Sequence, residues 1–236
     1  MGEFVEVGAR ACLEDSPSSA QNENKYEEVQ ELYLQAVLSG QRSAAANIAA
    51  EALLKAPVSD IYSDVLQETL YEVGRKWAAN EITVAEEHMA TAITQYVMGK
   101  LYAQIKPNKS QQGKIVITGV ESEMHQVGAN MVADVLESDG WDVRFLGTNM
   151  PHAGIIQAIE EHNADVLGIS TTMLFNLPHA LRLVGEVREK MKDKTPRIVL
   201  GGRAFASVPS LWKEIGAEGV GTDVRGAQAL LRREDS

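Results

Sequence analysis

IVITGVESEMHQVG, residues 115–128, contains an apolar strand, a polar loop and the start of a helix. The run Ile115 to Thr118 consists of β-branched residues, which favour a strand. The loop places Glu123 two residues before His125, and apolar residues at helical spacing begin near Val127. A strand joined to a helix in this way predicts one unit of an α/β fold.

The same alternation of strand and helix continues along the chain. Further strands are predicted at Val143–Leu146, Val166–Ile169, Ile198–Leu200 and around Val220. Helices are predicted to begin near His152, Leu177, Val208 and Gly226. Because crossover helices connect parallel strands, residues 113–236 are expected to form a doubly wound, five-stranded parallel sheet of the flavodoxin-like (Rossmann-like) α/β class.

Residues 26–105 have helical periodicity without strands and predict a four-helix bundle. The four segments are separated by Ser39-Gly40, Pro57-Val58-Ser59 and Asn80-Glu81. The third segment is predicted to have one apolar face, because apolar residues recur in it at helical spacing: Ile61, Val65, Leu70, Val73 and Trp77.

The ends of the bundle also have recognisable signals. Thr83 followed three residues later by Glu86 is a capping-box pattern, so the last helix should begin near Val84. Residues 106–112 have the composition of a linker, and residues 1–25 that of a flexible tail. The chain is therefore expected to have two domains.

Composition limits the function further. The chain has 236 residues and a net charge of −11, which argues against non-specific electrostatic binding to nucleic-acid backbones. No apolar run approaches the roughly 20 residues that span a bilayer, and the N-terminal sequence has no secretory signal pattern. A cytoplasmic protein that binds neither DNA nor membranes is expected.

Two more short motifs follow predicted strands, as Glu123 and His125 do. Ser170-Thr171-Thr172 follows one strand and Gly201-Gly202 another. The carboxyl ends of parallel strands are where α/β sheets bind ligands. A neutral imidazole suits a borderline metal such as cobalt, and a carboxylate on its other nitrogen orients it. Glu123 can play that part toward His125.

In this order the three signals resemble the cobalamin-binding domain family. Its pattern is an acidic residue, any residue, His, two residues and Gly, then Ser-x-Leu or Ser-x-Thr, then Gly-Gly. The resemblance implies a base-off cobalamin with His125 as the lower axial cobalt ligand and Glu123 as its orienting acceptor. The cofactor-binding residues that it implies are Glu123, His125, Val127, Gly128, Ser170, Thr172, Gly201 and Gly202.

A second constellation is Trp77, nine intervening residues, then Glu87-His88. It resembles the signature of CarH-type light-dependent regulators, and that resemblance implies an upper pocket for the adenosyl group of adenosylcobalamin. An indole offers a stacking surface, and the other two side chains can bind ribose hydroxyls. Trp77 as a core residue, Glu87 at a helix N-terminus and His88 as a solvated residue remain the alternative.

Two departures from those regulators concern the DNA-binding domain and the residue after the tryptophan. CarH-type regulators carry an N-terminal DNA-binding domain, and the residues before Tyr26 are too few to form one. They also carry a histidine directly after the tryptophan, whereas here that residue is Ala78, which cannot bind cobalt.

Three functions are compatible with these patterns, and none of them makes the chain itself an enzyme. The first is a photoreceptor or cobalamin sensor, in which cleavage of the cobalt–carbon bond changes conformation or assembly and signals to transcription indirectly. The second is a corrinoid methyl carrier of a methyltransferase system, which uses methylcobalamin, and the third is a cobalamin storage or delivery protein. The expected partners are further copies of the chain or a separate regulatory protein. The upper constellation favours the sensor.

Overall fold

A computed structural model describes residues 25–105, 108, 111–208 and 210–232. The chain divides into two compact units, with the boundary between residues 105 and 106. Apart from Lys25, the predicted tail lies outside the described residues, as do four residues of the predicted linker.

Within residues 25–105, the first unit contains four helices. They are α1 (Glu27–Leu38), α2 (Arg42–Leu53), α3 and α4 (Val84–Tyr102), and α3 consists of the consecutive segments Val58–Asp60, Ile61–Gln67 and Glu68–Ala78. The predicted capping box is confirmed: Thr83 Oγ1 accepts from the Glu86 backbone N–H, and the Glu86 carboxylate accepts from the Thr83 backbone N–H at 2.7 Å. These reciprocal bonds satisfy two of the free donors at the start of α4.

The middle of α3, Ile61–Gln67, is a π-helix. A π-helix has more residues per turn than an α-helix, so the segment that follows presents a different set of residues to the interior. Thr69 and Val73 are buried, whereas Leu70 and Trp77 are only half-buried. Beyond the π segment the predicted apolar face is therefore confirmed at Val73 and only partly buried at Leu70 and Trp77.

The second unit is a five-stranded parallel sheet with the order β2-β1-β3-β4-β5. The strands are β1 (Gly113–Gly119), β2 (Trp141–Phe145), β3 (Val166–Ser170), β4 (Arg197–Gly201) and β5 (Gly219–Gly221). This order is that of the flavodoxin-like fold, and it confirms the predicted fold class.

Both faces of the sheet are buried by helices. Within β1, Ile115 and Ile117 belong to one core cluster, and Val116 between them belongs to the other. Successive side chains of a strand point to opposite faces, so both kinds of position must be apolar. The covering helices are α5 (Val127–Ser138), α6 (His152–His162), α7 (Leu177–Met191) and α10 (Val224–Leu231).

The last part of the chain differs from the prediction in one element. Instead of one helix beginning near Val208, there are two short helices, α8 (Arg203–Ala206) and α9 (Leu211–Glu214). The residue before a proline disfavours helical geometry, and Pro209 follows Val208 in the sequence. Within the described residues, none of the helices combines the length and the apolarity that crossing a membrane requires.

Candidate cofactor site

The three sequence signals meet at the carboxyl edge of the sheet. Ser170 at the end of β3 is paired in register with Gly119 of β1 on one side and with Gly201 of β4 on the other. The loop that carries Glu123 and His125 leaves β1 directly after this row. Positions about 80 residues apart in the chain are thereby placed on three neighbouring strands.

Glu123 is fully buried, and one of its carboxylate oxygens holds the loop that contains His125. Oε1 accepts from the backbone N–H groups of Met124 and His125, each at 3.0 Å. The same oxygen lies 2.6 Å from Nδ1 of the His125 ring. The carboxylate therefore fixes both the backbone and the imidazole of His125.

The other oxygen of Glu123 binds the loop after β3. Oε2 accepts from the backbone N–H groups of Thr172 at 2.8 Å and Met173 at 3.2 Å, and from Nδ2 of Asn176 at 3.1 Å. A single buried carboxylate thus connects the two loops, with six donors converging on its two oxygens. Asn176 also donates to the Ser122 carbonyl at 3.3 Å, which ties the loops together a second time.

These contacts determine the charge of Glu123. Burial by itself raises the pKa of the carboxyl group, but hydrogen bonds from His125, Thr172 and Asn176 outweigh burial and lower the pKa of Glu123 to about 2. The group is therefore an anion at neutral pH.

The charge of Glu123 in turn sets the tautomer of His125. An ionised carboxylate only accepts hydrogen bonds, so Nδ1 of His125 carries the hydrogen. In the neutral ring the lone pair is then on Nε2. The His125 side chain is 56% exposed although its carboxylate partner is buried, so the ring is held at one nitrogen and open to a ligand.

Two glycines in the predicted site differ in whether the fold itself requires glycine at that position. Gly202 has φ of +93°, and a Cβ there would lie 2.3 Å from the Thr171 carbonyl oxygen, so the fold itself requires glycine. Gly128 lies in the first turn of α5, and a Cβ there would meet nothing within 4 Å. The fold does not require glycine at Gly128, but close approach of a bulky ligand would.

The remaining predicted residues of this unit have less defined surroundings. Val127, Ser170 and Thr172 are half-buried, and Gly201 lies at the end of β4. Between two of them, Thr171 is fully buried, and its hydroxyl has no hydrogen-bond partner among the described residues. An unsatisfied hydroxyl at this edge is available to a polar group of a ligand.

The upper residues Trp77, Glu87 and His88 belong to the helical unit. Trp77 is half-buried near the end of α3, and the other two lie in the first turns of α4. The Glu87 carboxylate is engaged on its own helix, where Oε2 lies 2.5 Å from His88 Nδ1 and Oε1 accepts from Thr91 Oγ1 at 3.1 Å. These contacts account for Glu87 and His88 without a ligand, so an adenosyl pocket stays a prediction.

The chemistry of the lower loop fits the cobalt of cobalamin. An imidazole whose other nitrogen donates to a carboxylate is the usual form of a histidine metal ligand. Of the residues that the structure describes, no three His, Cys, Asp or Glu form a cluster that could hold a metal ion. This loop could offer a metal one protein ligand, the Nε2 atom of His125, and such a site suits a metal whose other ligands come from a macrocycle.

Comparison with known families agrees with this geometry. Residues 113–229 match the B12 binding domain, and residues 29–102 match a second B12 binding domain that corresponds to the helical unit. The fold and site thus define a protein that binds cobalamin, the B12 cofactor. The chain belongs to the cobalamin-binding domain proteins.

Several relatives are named as corrinoid proteins. The chain is 27% identical to a corrinoid protein of Desulfitobacterium hafniense over 78% of this chain and 87% of that protein. It is 28% identical to the dimethylamine corrinoid protein of Methanosarcina barkeri over 83% and 91%, respectively. The monomethylamine corrinoid protein of M. barkeri has the same fold, with a TM-score of 0.76, 20% identity and coverage of 87% of this chain and 98% of that one.

We expect Gly128→Ala to separate binding from folding. Alanine at a helical position stabilises a helix by up to about 1 kcal/mol relative to glycine, so the cofactor-free protein should be no less stable. If cobalamin lies against this turn, the added methyl group should weaken its binding at least about tenfold. Thermal unfolding and a cobalamin titration measure the two effects, and unchanged affinity would exclude Gly128 from the site.

Proposed function

We propose that this protein is a corrinoid methyl carrier, which was the second of the three functions expected from the sequence. The observation that carries the proposal is the match to the dimethylamine corrinoid protein of M. barkeri, which extends over 83% of this chain and therefore includes both units. Two relatives are named both for a corrinoid and for dimethylamine or monomethylamine, and these amines carry methyl groups.

The arrangement of the site's residues without a bound ligand supports this role. When bound, cobalamin supplies a cobalt atom that takes up a methyl group and gives it away again. His125 offers Nε2 to that metal, and Glu123 holds the ring in one tautomer and orientation. A carboxylate bound to the other ring nitrogen also strengthens an imidazole as a metal ligand.

The other predicted residues are proposed to surround the cofactor. Val127 and Gly128 provide the surface beside the ligand loop, and Ser170 and Thr172 provide polar groups at the end of β3. Gly201 and Gly202 leave room for the nucleotide tail at the end of β4. Methyl carriers of this kind normally have Asp where this chain has Glu123, and here the Glu123 carboxylate binds the loop after β3.

The proposed partners are separate methyltransferases that deliver the methyl group and withdraw it. The carrier itself is not an enzyme, in agreement with relatives that are named as corrinoid proteins. The photoreceptor function was favoured by Trp77, Glu87 and His88, but no relative named above supports it, and neither light sensing nor transcription regulation forms part of this proposal.

A comparison of two cofactors in darkness tests the proposal. We expect the full chain to bind methylcobalamin within about tenfold of adenosylcobalamin, a difference of no more than about 1.4 kcal/mol. Trp77→Ala should leave the ratio of the two affinities unchanged, because in a methyl carrier Trp77 does not serve as a stacking surface for an adenosyl group. Absorption titrations give both affinities.

The opposite outcome is equally specific. A preference for adenosylcobalamin well beyond tenfold, lost in Trp77→Ala, would favour the adenosyl pocket and the photoreceptor. A change in assembly after green illumination of the adenosylcobalamin complex would strengthen that conclusion.

A further inference from the structure

The helical unit contains a groove between α2 and α4, and Trp77, Glu87 and His88 are not among its lining residues. Its volume is about 220 Å³. From α2 it is lined by Ser43, Ala46, Asn47 and Ala50, from α4 by Tyr96 and Lys100, and from the turn just after α4 by Gln104. These residues recur every three or four positions on each helix, so one face of each helix forms a wall of the groove.

Two cations stand over the aromatic ring in this groove. The Arg42 guanidinium lies 5.1 Å from the centre of the Tyr96 ring, and Lys100 Nζ lies 5.6 Å from it. Among the described residues neither cation forms an ion pair with a carboxylate, whereas Arg75 and Lys76 on α3 both pair with Glu72.

The pair contrasts with the charge around it. Residues 25–105 contain six Lys and Arg against eleven Asp and Glu, so the unit as a whole is acidic. Two neighbouring cations that form no ion pair with a described carboxylate make a local site that attracts negative charge in an otherwise acidic unit.

We propose that this groove binds an acidic segment of a partner protein. A carboxylate of that segment lies between Arg42 and Lys100, and an apolar side chain lies on Ala46, Ala50 and Tyr96. Tyrosine and arginine together are typical of residues that dominate binding energy at protein interfaces. The inference goes beyond the proposed methyl transport and does not depend on cobalamin.

The floor of the groove favours a protein segment over a free anion. Ala46 and Ala50 offer only methyl groups, and Tyr96 is 36% exposed as a large apolar surface. A small anion would use the two cations and leave this apolar floor in water. An amphipathic acidic helix would cover the floor and satisfy the cations together.

The test uses a synthetic peptide of about 15 residues, roughly four helical turns, with Leu and Glu at helical spacing. Its binding to the full cobalamin-loaded chain is followed by fluorescence anisotropy. We expect Arg42→Glu with Lys100→Glu to weaken binding at least about tenfold, and Tyr96→Ala to weaken it to a similar extent. Higher salt should weaken binding to the parent protein.

The matched control is Lys55→Glu, which reverses a cation of the same unit outside the groove that has no ion pair with any described residue, and it should change affinity less than about twofold. Arg42→Gln with Lys100→Gln repeats the test without adding negative charge, and cobalamin uptake by each variant reports that it is folded. Equal binding of the peptide with Gln for every Glu would overturn the proposal. Displacement by inorganic phosphate at about 10 mM would instead make the groove a small-anion site. Self-association of the parent chain, abolished in the double variant, would make it an interface between copies.

Discussion

Replacing His125 with Ala is expected to abolish the histidine-ligated, base-off absorption spectrum of the bound cofactor. His125 is exposed, and its Nδ1 is committed to Glu123, so Nε2 is the nitrogen that this loop offers to cobalt. Changes around a metal ligand typically cost about 10 to 100-fold in affinity, and loss of the ligand itself should cost more than about 100-fold. Absorption spectroscopy during a cobalamin titration measures both effects.

The matched control is His179→Ala in the same unit. The Nδ1 atom of His179 lies near Arg182 and Glu121 and does not contact a buried carboxylate, so the spectrum should not change. Free imidazole added to the His125→Ala protein should restore a nitrogen-ligated spectrum if the cavity left by the ring is accessible. An unchanged spectrum and affinity in His125→Ala would remove this residue as the ligand.

The sheet could be predicted because burial on both faces leaves a strong signal. Each strand of a doubly wound sheet needs apolar residues at consecutive positions, as Ile115, Val116 and Ile117 show by dividing between the two core clusters. The lower ligand loop was also predictable, since Glu123 and His125 are two residues apart and interact locally.

Asn176 could not be predicted from the sequence. It lies 53 residues from Glu123, and its role depends on the register that brings β1 and β3 together. A lone asparagine near a helix start is common, and its burial at 1% exposure becomes apparent only in the folded chain. The π-helical segment was missed for a similar reason, because apolar spacing in the sequence assumes an unbroken α-helix.

The upper constellation shows what spacing alone leaves undecided. Trp77, Glu87 and His88 flank the same connection between α3 and α4, as predicted. Spacing carries no information about whether Glu87 binds a ligand or its neighbours His88 and Thr91, and the structure shows the second arrangement.

Replacing Glu123 with Ala is expected to lower the free energy of unfolding by about 4 kcal/mol and to weaken cobalamin binding as well. The change leaves the backbone N–H groups of Thr172 and Met173 and the amide of Asn176 without their buried acceptor. Each buried donor left unsatisfied costs about 1 to 3 kcal/mol. Denaturant unfolding of the cofactor-free protein measures the loss.

Two milder variants separate the two oxygens of the carboxylate. Asn176→Ala removes one donor from Oε2 and leaves the contacts to His125, so it should lower stability by about 1 kcal/mol and keep the cobalt spectrum. Glu123→Gln keeps one acceptor but places an NH₂ group among donors, and it should reduce cobalamin affinity about 10 to 100-fold. A cobalt spectrum lost in Asn176→Ala would contradict this division.

The charge of Glu123 also predicts how stability depends on pH. Folding lowers the pKa of this carboxyl group from 4.5 to about 2, so the folded protein holds the charged form more strongly than the unfolded chain does. The contribution is fully present above pH 4.5 and is lost as the pH falls from 4.5 toward 2. At 1.36 kcal/mol per pKa unit it is of the order of 3 kcal/mol. The stability difference between the parent protein and Glu123→Gln should therefore shrink across this range, and a difference that stays constant would show that the carboxylate is not held as an anion by these six donors.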